Sequence, residues 1–215
     1  MFAKDRDLLV LEPYLFRDMA WVGQRLVLGQ ASVTAGELKF SAADADLQAL
    51  GLGEGHVVVV SGLALEVLGV VGPERASVSR LRPSAADAAI PAPELPEGET
   101  FIATFAPQIA MAHRQVLRMA GIEPDAPAPV EGRPGEQVIT NAGALAALEC
   151  YGALAIIFNA AATASGALSS ASRKADLYER LFRRERERAV VELDLDGDGA
   201  PDATRRINVV QFLRG

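Results

Sequence analysis

Hydrophobic and polar positions change their period along the chain. The opening run at 7–16, DLLVLEPYLF, is apolar and stops near Pro13. The following stretch, 17–29, predicts a short helix with Trp21, Leu26 and Val27 on its buried side. Residues 32–40, SVTAGELKF, alternate around Gly36 and predict a hairpin. A helical turn capped by Asp44 or Asp46 and holding Leu47 and Leu50 comes next, before Gly51, Gly53 and Gly55 turn the chain. The strongest β pattern then follows: HVVVV at 56–60, LALEVLGVV at 63–71 and ASVSRLR at 76–82, separated by Ser61-Gly62 and by Gly72-Pro73. Together these predict a small barrel or sandwich of roughly five strands.

The pattern breaks at 83–98, where four prolines fall in sixteen positions and predict an extended linker. Beyond it the period becomes helical. One helix is expected over 99–120, kinked or delayed by Pro107, with Ile109, Val116, Leu117 and Met119 as its apolar positions. Residues 122–136 hold four more prolines and predict a loop long enough to serve as an interaction arm. A helix over 141–165, with Asn141 as N-cap, is apolar on nearly every side and so expects burial on more than one face. A last helix over 170–189, capped by Ser170 or Ser172, carries Leu177, Leu181 and Tyr178 as its stripe. Alternating segments at 190–195 and 207–213 predict a terminal hairpin. The fold class is therefore α+β. A β-rich domain over 1–82 and a linker over 83–98 precede a helical bundle over 99–215 that ends in a hairpin.

Composition narrows the function more than the fold. Half the residues are hydrophobic and 23% are charged, which suits a globular chain. The net charge of −7 argues against bulk attraction to nucleic acid or an anionic membrane. The single cysteine, Cys150, excludes an intrachain disulfide and reads as a small buried hydrophobe. No secretion signal is read at the N-terminus. The longest apolar stretch, 142–158, is interrupted by Glu149 and falls short of the roughly 20 residues a membrane span needs.

Candidate chemistry is sparse. The sharpest motif is DLDGDG at 194–199. Asp194, Asp196, Asp198 and Asp202 fall at positions 1, 3, 5 and 9 of a Ca²⁺-type loop, with the carbonyl of Ala200 at 7. Position 12, where a bidentate glutamate belongs, is Arg205, and the flanks read as strands. A hairpin turn built from Asp and Gly is the favoured reading over a metal site, because the missing ligand weakens affinity. The second feature is the basic run of the last helix. Arg180, Arg183, Arg184, Arg186 and Arg188 are interleaved with glutamates and face solvent, a partner subunit or DNA. His56 and His113 lack metal-ligand neighbours and read as structural. The glycines of GLGEG precede a strand, the wrong order for a phosphate loop. Trp21 and the phenylalanines read as core. No nucleophile, Walker or zincin motif is present, so the chain is not expected to be an enzyme.

The order of these pieces resembles neck proteins of tailed bacteriophages, prophages and gene-transfer particles, with the head–tail connector or adaptor group nearest. The segments that carry it are DLLVLEPYLFRDMAWVGQRLV, GHVVVVSGLALEV with VSRLRP, FAPQIAMAHRQVLRMAG and ERLFRRERERAVVELDLDGDGAPDATRRINVVQFLRG. The resemblance implies a structural virion component made in the bacterial host cytoplasm, without catalytic residues or cofactor. It implies rings, commonly of twelve copies, beneath a portal protein, with a tail or stopper protein as the next neighbour and DNA passing close by. The β domain ahead of the bundle departs from the minimal adaptor pattern and leaves the stopper and other neck components open. The alternative from the residues themselves is a Ca²⁺-dependent binding or adhesion module using the Asp194–Asp202 loop.

Overall fold

The computed structural model describes residues 1–21, 23–124, 135–165 and 169–207. The chain divides into two compact units, one of Lys4–Ala106 and one of Met1–Ala3 with Pro107–Gly215. The first is a closed six-stranded antiparallel barrel. The second holds three helices and a β-hairpin.

The barrel strands are β1 (Gln24–Thr34), β2 (Glu37–Ala43), β3 (Val57–Val60), β4 (Leu63–Gly72), β5 (Arg75–Ser79) and β6 (Leu95–Thr104). Their order around the barrel is β1-β2-β5-β4-β3-β6, and β6 closes it by pairing with both β1 and β3. The tight hairpins work as their residues require. Ala35 and Gly36 both have positive φ, as do Ser61 and Gly62, so each pair makes a two-residue turn that matches strand twist. Inward positions fill the barrel with Val27, Val33, Leu38, Phe40, Leu65 and Ile102, all at or near zero exposure. All four valines of β3 are buried. Val58 and Val60 line the interior. The short helices α1 (Asp5–Leu11) and α2 (Leu15–Asp18) lie on the outside of this unit, with α2 against β3 and β4.

Two expectations fail here for one reason, strand pairing. Residues 17–29 do not form a helix past Asp18. From Gln24 they enter β1, which is hydrogen-bonded on both sides. The stretch expected to be linker and helix start contains β6, so the barrel has six strands and the following helix, α3, runs Ala106–Met119. Prolines are tolerated because Pro96 lies at the start of β6, where its register with β1 shifts between Ala31 and Val33. Before it, an isolated bridge joins Arg80 to Ile90, so part of the proline-rich stretch is tied to the barrel. Pro107 causes no kink. It sits in the first turn of α3, where no intrahelical donor is needed.

In the second unit α4 spans Ala142–Ser165 and α5 spans Ser170–Arg188. They pack along each other, with Phe158 stacked on Tyr178 at 5.7 Å. Gly152 allows that approach, since a Cβ there would come within 3.1 Å of Ala112 and of the Phe182 ring. The N-cap of α5 is Ser169, whose Oγ accepts from Ser172 N at 3.2 Å, not Ser170 or Ser172. The buried stripe of α5 is Ala171, Ala175, Tyr178 and Phe182, spaced four, three and four, while the expected Leu177 is 42% exposed. Asn141 stands just before α4, where its carbonyl accepts from Ala144 N at 2.9 Å. Its side chain bridges to β7 (Val190–Leu193), donating to Val190 O and accepting from Glu192 N.

Strand β7 pairs with β8 (Ala203–Arg206), and Ile139 forms an isolated bridge to Leu193 on the other side of β7. The return strand is therefore β8, four residues earlier than the expected 207–213, because Val190 through Leu193 pair with Arg206 through Ala203. Of 207–213 only Ile207 is among the described residues, and most of the expected arm at 122–136 lies outside them. The segment Ala142–Ala164 is longer than the apolar stretch read from the sequence. It is long and apolar enough to cross a membrane by length and composition, with a mean hydropathy of 1.6. Within its unit it is a core helix: Leu145, Leu148, Leu154, Ile157 and Phe158 are buried with Glu149 among them.

Candidate functional site

The acidic tail loop joins β7 to β8. Asp194, Asp196 and Asp202 converge, each offering an oxygen within 4.8 Å of the others, while Asp198 does not join that group. The carboxylates also organise the loop itself. Asp194 accepts from Gly197 N at 2.7 Å and Gly199 N at 2.8 Å, and Asp202 Oδ2 accepts from Leu195 N at 2.7 Å. Asp198 accepts from Ala200 N at 2.8 Å. These are turns in which Asx side chains replace backbone partners. The Gly199 and Gly197 amides, in that order, hold the Asp194 carboxyl below its ordinary range. Arg205, at the position where a Ca²⁺ loop has its bidentate glutamate, points elsewhere. Its Nη1 donates to Ala120 O at 3.2 Å and caps the C-terminal end of α3.

The arginines of α5 fall where helical spacing places them. Arg180, Arg183, Arg184 and Arg188 are exposed, opposite the buried stripe. Arg183 pairs with Glu179 one turn earlier. Arg186 is half-buried, and its Nε is shielded from solvent without a hydrogen-bond partner. The five residues therefore do not form one uniform face.

The sequence offered no sign of a third constellation. Glu149, fully buried in α4, accepts from His113 Nδ1 at 2.9 Å, from Phe2 N at 3.1 Å and from Ala3 N at 3.3 Å. His113 Nε2 lies 3.1 Å from Glu136 Oε2, at ion-pair distance without hydrogen-bond alignment, and Glu136 also meets the Met1 amino group at 3.2 Å. The Phe2 ring covers the imidazole edge-on at 4.7 Å. Burial works against the charged imidazolium, but the Glu149 and Glu136 carboxylates outweigh it and hold His113 above its usual range. Burial likewise opposes the charged form of Glu136, and His113 with the Met1 amino group overcomes it, so Glu136 sits below its usual range. A lone glutamate inside an apolar helix was the available signal, since a buried carboxylate requires donors. The open groove beside this cluster, about 470 Å³, is lined by Met1, Phe2, Glu136, Gln137, Ile139 and Ala142.

The barrel unit has its own buried charges. Glu66, fully buried on β4, accepts from Arg6 Nε at 2.7 Å and from Arg82 N at 3.1 Å, and pairs with the Arg82 guanidinium. Arg6 Nη2 reaches the carbonyl of Arg82, and Arg82 Nη1 donates to Asp87 O at 2.9 Å. The triad pins α1 and the segment after β5 to the barrel wall. Asp5 accepts from Thr104 Oγ1 at 2.6 Å and Phe105 N at 2.8 Å. Burial outweighs those bonds and raises the Asp5 carboxyl above its usual range. His56 Nδ1 contacts the backbone of Gly53 and closes a turn, as expected of a structural histidine. Cys150 is buried. Trp21, expected in the core, is 57% exposed.

Comparison with protein-family models, with curated proteins and with solved structures found no match to this chain.

Proposed function

We propose that this protein is a structural component of a phage-like particle, joining portal and head to tail as one of several copies in a neck ring. It carries out no turnover. The observation that supports this most is the placement of the buried ionisable groups. Asp5, Arg6, Glu66 and Arg82 fasten α1 and loop segments to the barrel, and His113 and Glu149 fasten the first residues to the helices. An active site instead sets a titratable group beside room for a substrate. Among the described residues, the one carboxylate lining the groove, Glu136, is engaged by the Met1 amino group and faces His113, and neither His113 nor Glu149 lines it. Meanwhile Tyr14 and Trp21, side chains of the kind that anchor protein interfaces, stand 62% and 57% exposed.

The reading rests on the resemblance to neck proteins, from whose minimal adaptor pattern the barrel departs, and the partners that resemblance implies are the portal, a tail or stopper protein and passing DNA. We read α4 as a core helix, because its carboxylate Glu149 is satisfied by protein donors. The test is a mass measurement in solution, alone and after mixing with the portal protein of the same source. A multi-copy complex is expected. A monodisperse monomer that ignores the portal refutes the reading.

The second reading is a Ca²⁺-binding tail hairpin, favoured by the convergence of Asp194, Asp196 and Asp202. With one oxygen from each, three carboxylates fall short of the six to eight oxygens Ca²⁺ takes, so water or a partner must complete the shell. A melting temperature that does not move between added Ca²⁺ and a chelator removes this reading.

A further inference from the structure

We propose that the exposed arginine face of α5 docks on the acidic outer face of β6 in a second copy of this chain. The proposal rests on the ring-assembly reading and names the contact through which copies meet.

Charge is divided unequally between the two units. Residues 4–106 hold eight Lys and Arg against fourteen Asp and Glu, a net of −6, whereas Ser170–Arg188 holds seven against four, a net of +3. Six of the eight basic residues in the barrel unit already make ion pairs within it: Lys4, Arg6, Arg17, Arg25, Arg75 and Arg82. Glu94, Glu97 and Glu99 are exposed and make no ion pair among the described residues. Glu97 pairs with the Ser41 hydroxyl and Glu94 with the Ala35 amide, and both leave carboxylate oxygens for a further cation.

The spacings agree. Glu97 and Glu99 are two apart on a strand and point outward together, about 7 Å from each other. Arg180, Arg184 and Arg188 are each one turn apart on α5, a rise of about 6 Å per step. Arg180, Arg184 and Arg188 make no ion pair among the described residues, and Arg183 stands with its side chain 63% exposed. The helix face also has an apolar centre: Leu177 lies between Arg173, Arg180 and Arg184 at helical spacing. An apolar centre with a charged rim is the anatomy of a protein interface.

A second copy fits better than nucleic acid. A phosphate backbone, charged at every step, asks for an unbroken basic track, and Asp176 and Glu187 are exposed among these arginines and interrupt it, whereas a short strand with two carboxylates needs only a pair of arginines. The chain's own barrel is an acidic partner present at the same concentration as the helix. Because one face meets a different face, the contact is heterologous and passes from copy to copy, the kind of contact from which rings are built.

The test uses sedimentation velocity of the full chain at about 0.05 M and about 0.5 M salt, a change that shortens electrostatic range severalfold. Self-association at low salt that falls at high salt is expected. Arg180→Glu with Arg184→Glu, and separately Glu97→Lys with Glu99→Lys, should each weaken association at least tenfold while far-UV circular dichroism stays unchanged. An equimolar mixture of the two variants should associate again, since reversed helix meets reversed strand. Variants that assemble like the unmodified chain, a mixture that stays apart, or an unmodified chain that is monomeric at low salt each overturn the docking. Loss of affinity for a labelled DNA duplex with self-association intact overturns it as well, and assigns the face to DNA. None of these outcomes decides the ring reading, which stands or falls on the portal-mixing measurement.

Discussion

Replacing Glu66 by leucine should unfold the barrel unit at markedly lower denaturant. Glu66 has no exposed surface, and its two carboxylate oxygens take Arg6 Nε, Arg82 N and the Arg82 guanidinium. The Arg6 and Arg82 side chains are themselves only 4% and 8% exposed, so water cannot take over the role of the carboxylate. Without Glu66, the counter-charges left among the described residues are the partly exposed Asp7, 2.7 Å from Arg6, and the exposed Glu54, 3.5 Å from Arg82. Two buried cations are then under-compensated, and breaking a buried ionic group in this way costs about 3–5 kcal/mol. The apolar gain from leucine offsets about 1–2 kcal/mol of that at most. Trp21 is the only tryptophan and belongs to the barrel unit, so its fluorescence reports this unit and not the helices. At a urea slope of about 2 kcal/mol per molar, a net loss of about 3 kcal/mol moves the midpoint down by roughly 1.5 M with the slope unchanged. Replacing Arg6, Glu66 and Arg82 together by methionine, leucine and methionine should recover most of the loss, because no unpaired charge remains. A Glu66→Leu midpoint within about 0.3 M of the unmodified chain would refute the claim that the triad holds α1 and the β5–β6 connection in place.

Three further outcomes are expected. His113 has a raised folded-state pKa, so the stability it lends the helical unit is complete below its unfolded value of about 6.5 and is lost as pH rises through the folded value. Thermal melts by circular dichroism between about pH 6 and pH 9 should show this decline, and His113→Gln should flatten it. Asp194 is shifted the other way, so its contribution to the tail hairpin is present above about pH 3.9 and disappears as pH falls through its lower folded value; amide exchange at Gly197 and Gly199 should accelerate in step. Gly29→Ala should destabilise the barrel by about 1–3 kcal/mol in the Trp21 urea assay, because a Cβ there would lie 2.0 Å from the Ala42 carbonyl, whereas Gly53→Ala, with nothing within 4 Å, should stay within about 0.5 kcal/mol.

The parts of the fold legible in the sequence are those written in local alternation and turn chemistry. The β3–β5 meander follows from a β-branched run and alternation between glycine turns, and α4 and α5 from helical spacing within a residue or two of their ends. Strand β6 was hidden because its start carries Pro96 and its end runs directly into α3. What makes it a strand is pairing with β1 and β3, and distant partners leave no local mark. Strand β1 was hidden by Leu26 and Val27, whose adjacency suits a helix face as well as a twisted strand at a register shift. In the acidic loop the sequence named Asp194, Asp196 and Asp202 correctly as neighbours, but alternation alone could not place Asp198 outside the group. The His113–Glu149 pair spans 36 residues, and only the oddity of a carboxylate inside α4 pointed to it.

The closing position of β6 has a consequence for how the chain is made. The ribosome delivers the strands in order from β1, yet the sheet β1-β2-β5-β4-β3 is closed, between β1 and β3, only by the last strand of the unit. Until residues 95–104 emerge, a nascent chain presents two open sheet edges at once, which is the condition that favours association with the wrong neighbour. Delay over those ten codons, or a stop before them, would yield aggregate and not a smaller soluble barrel.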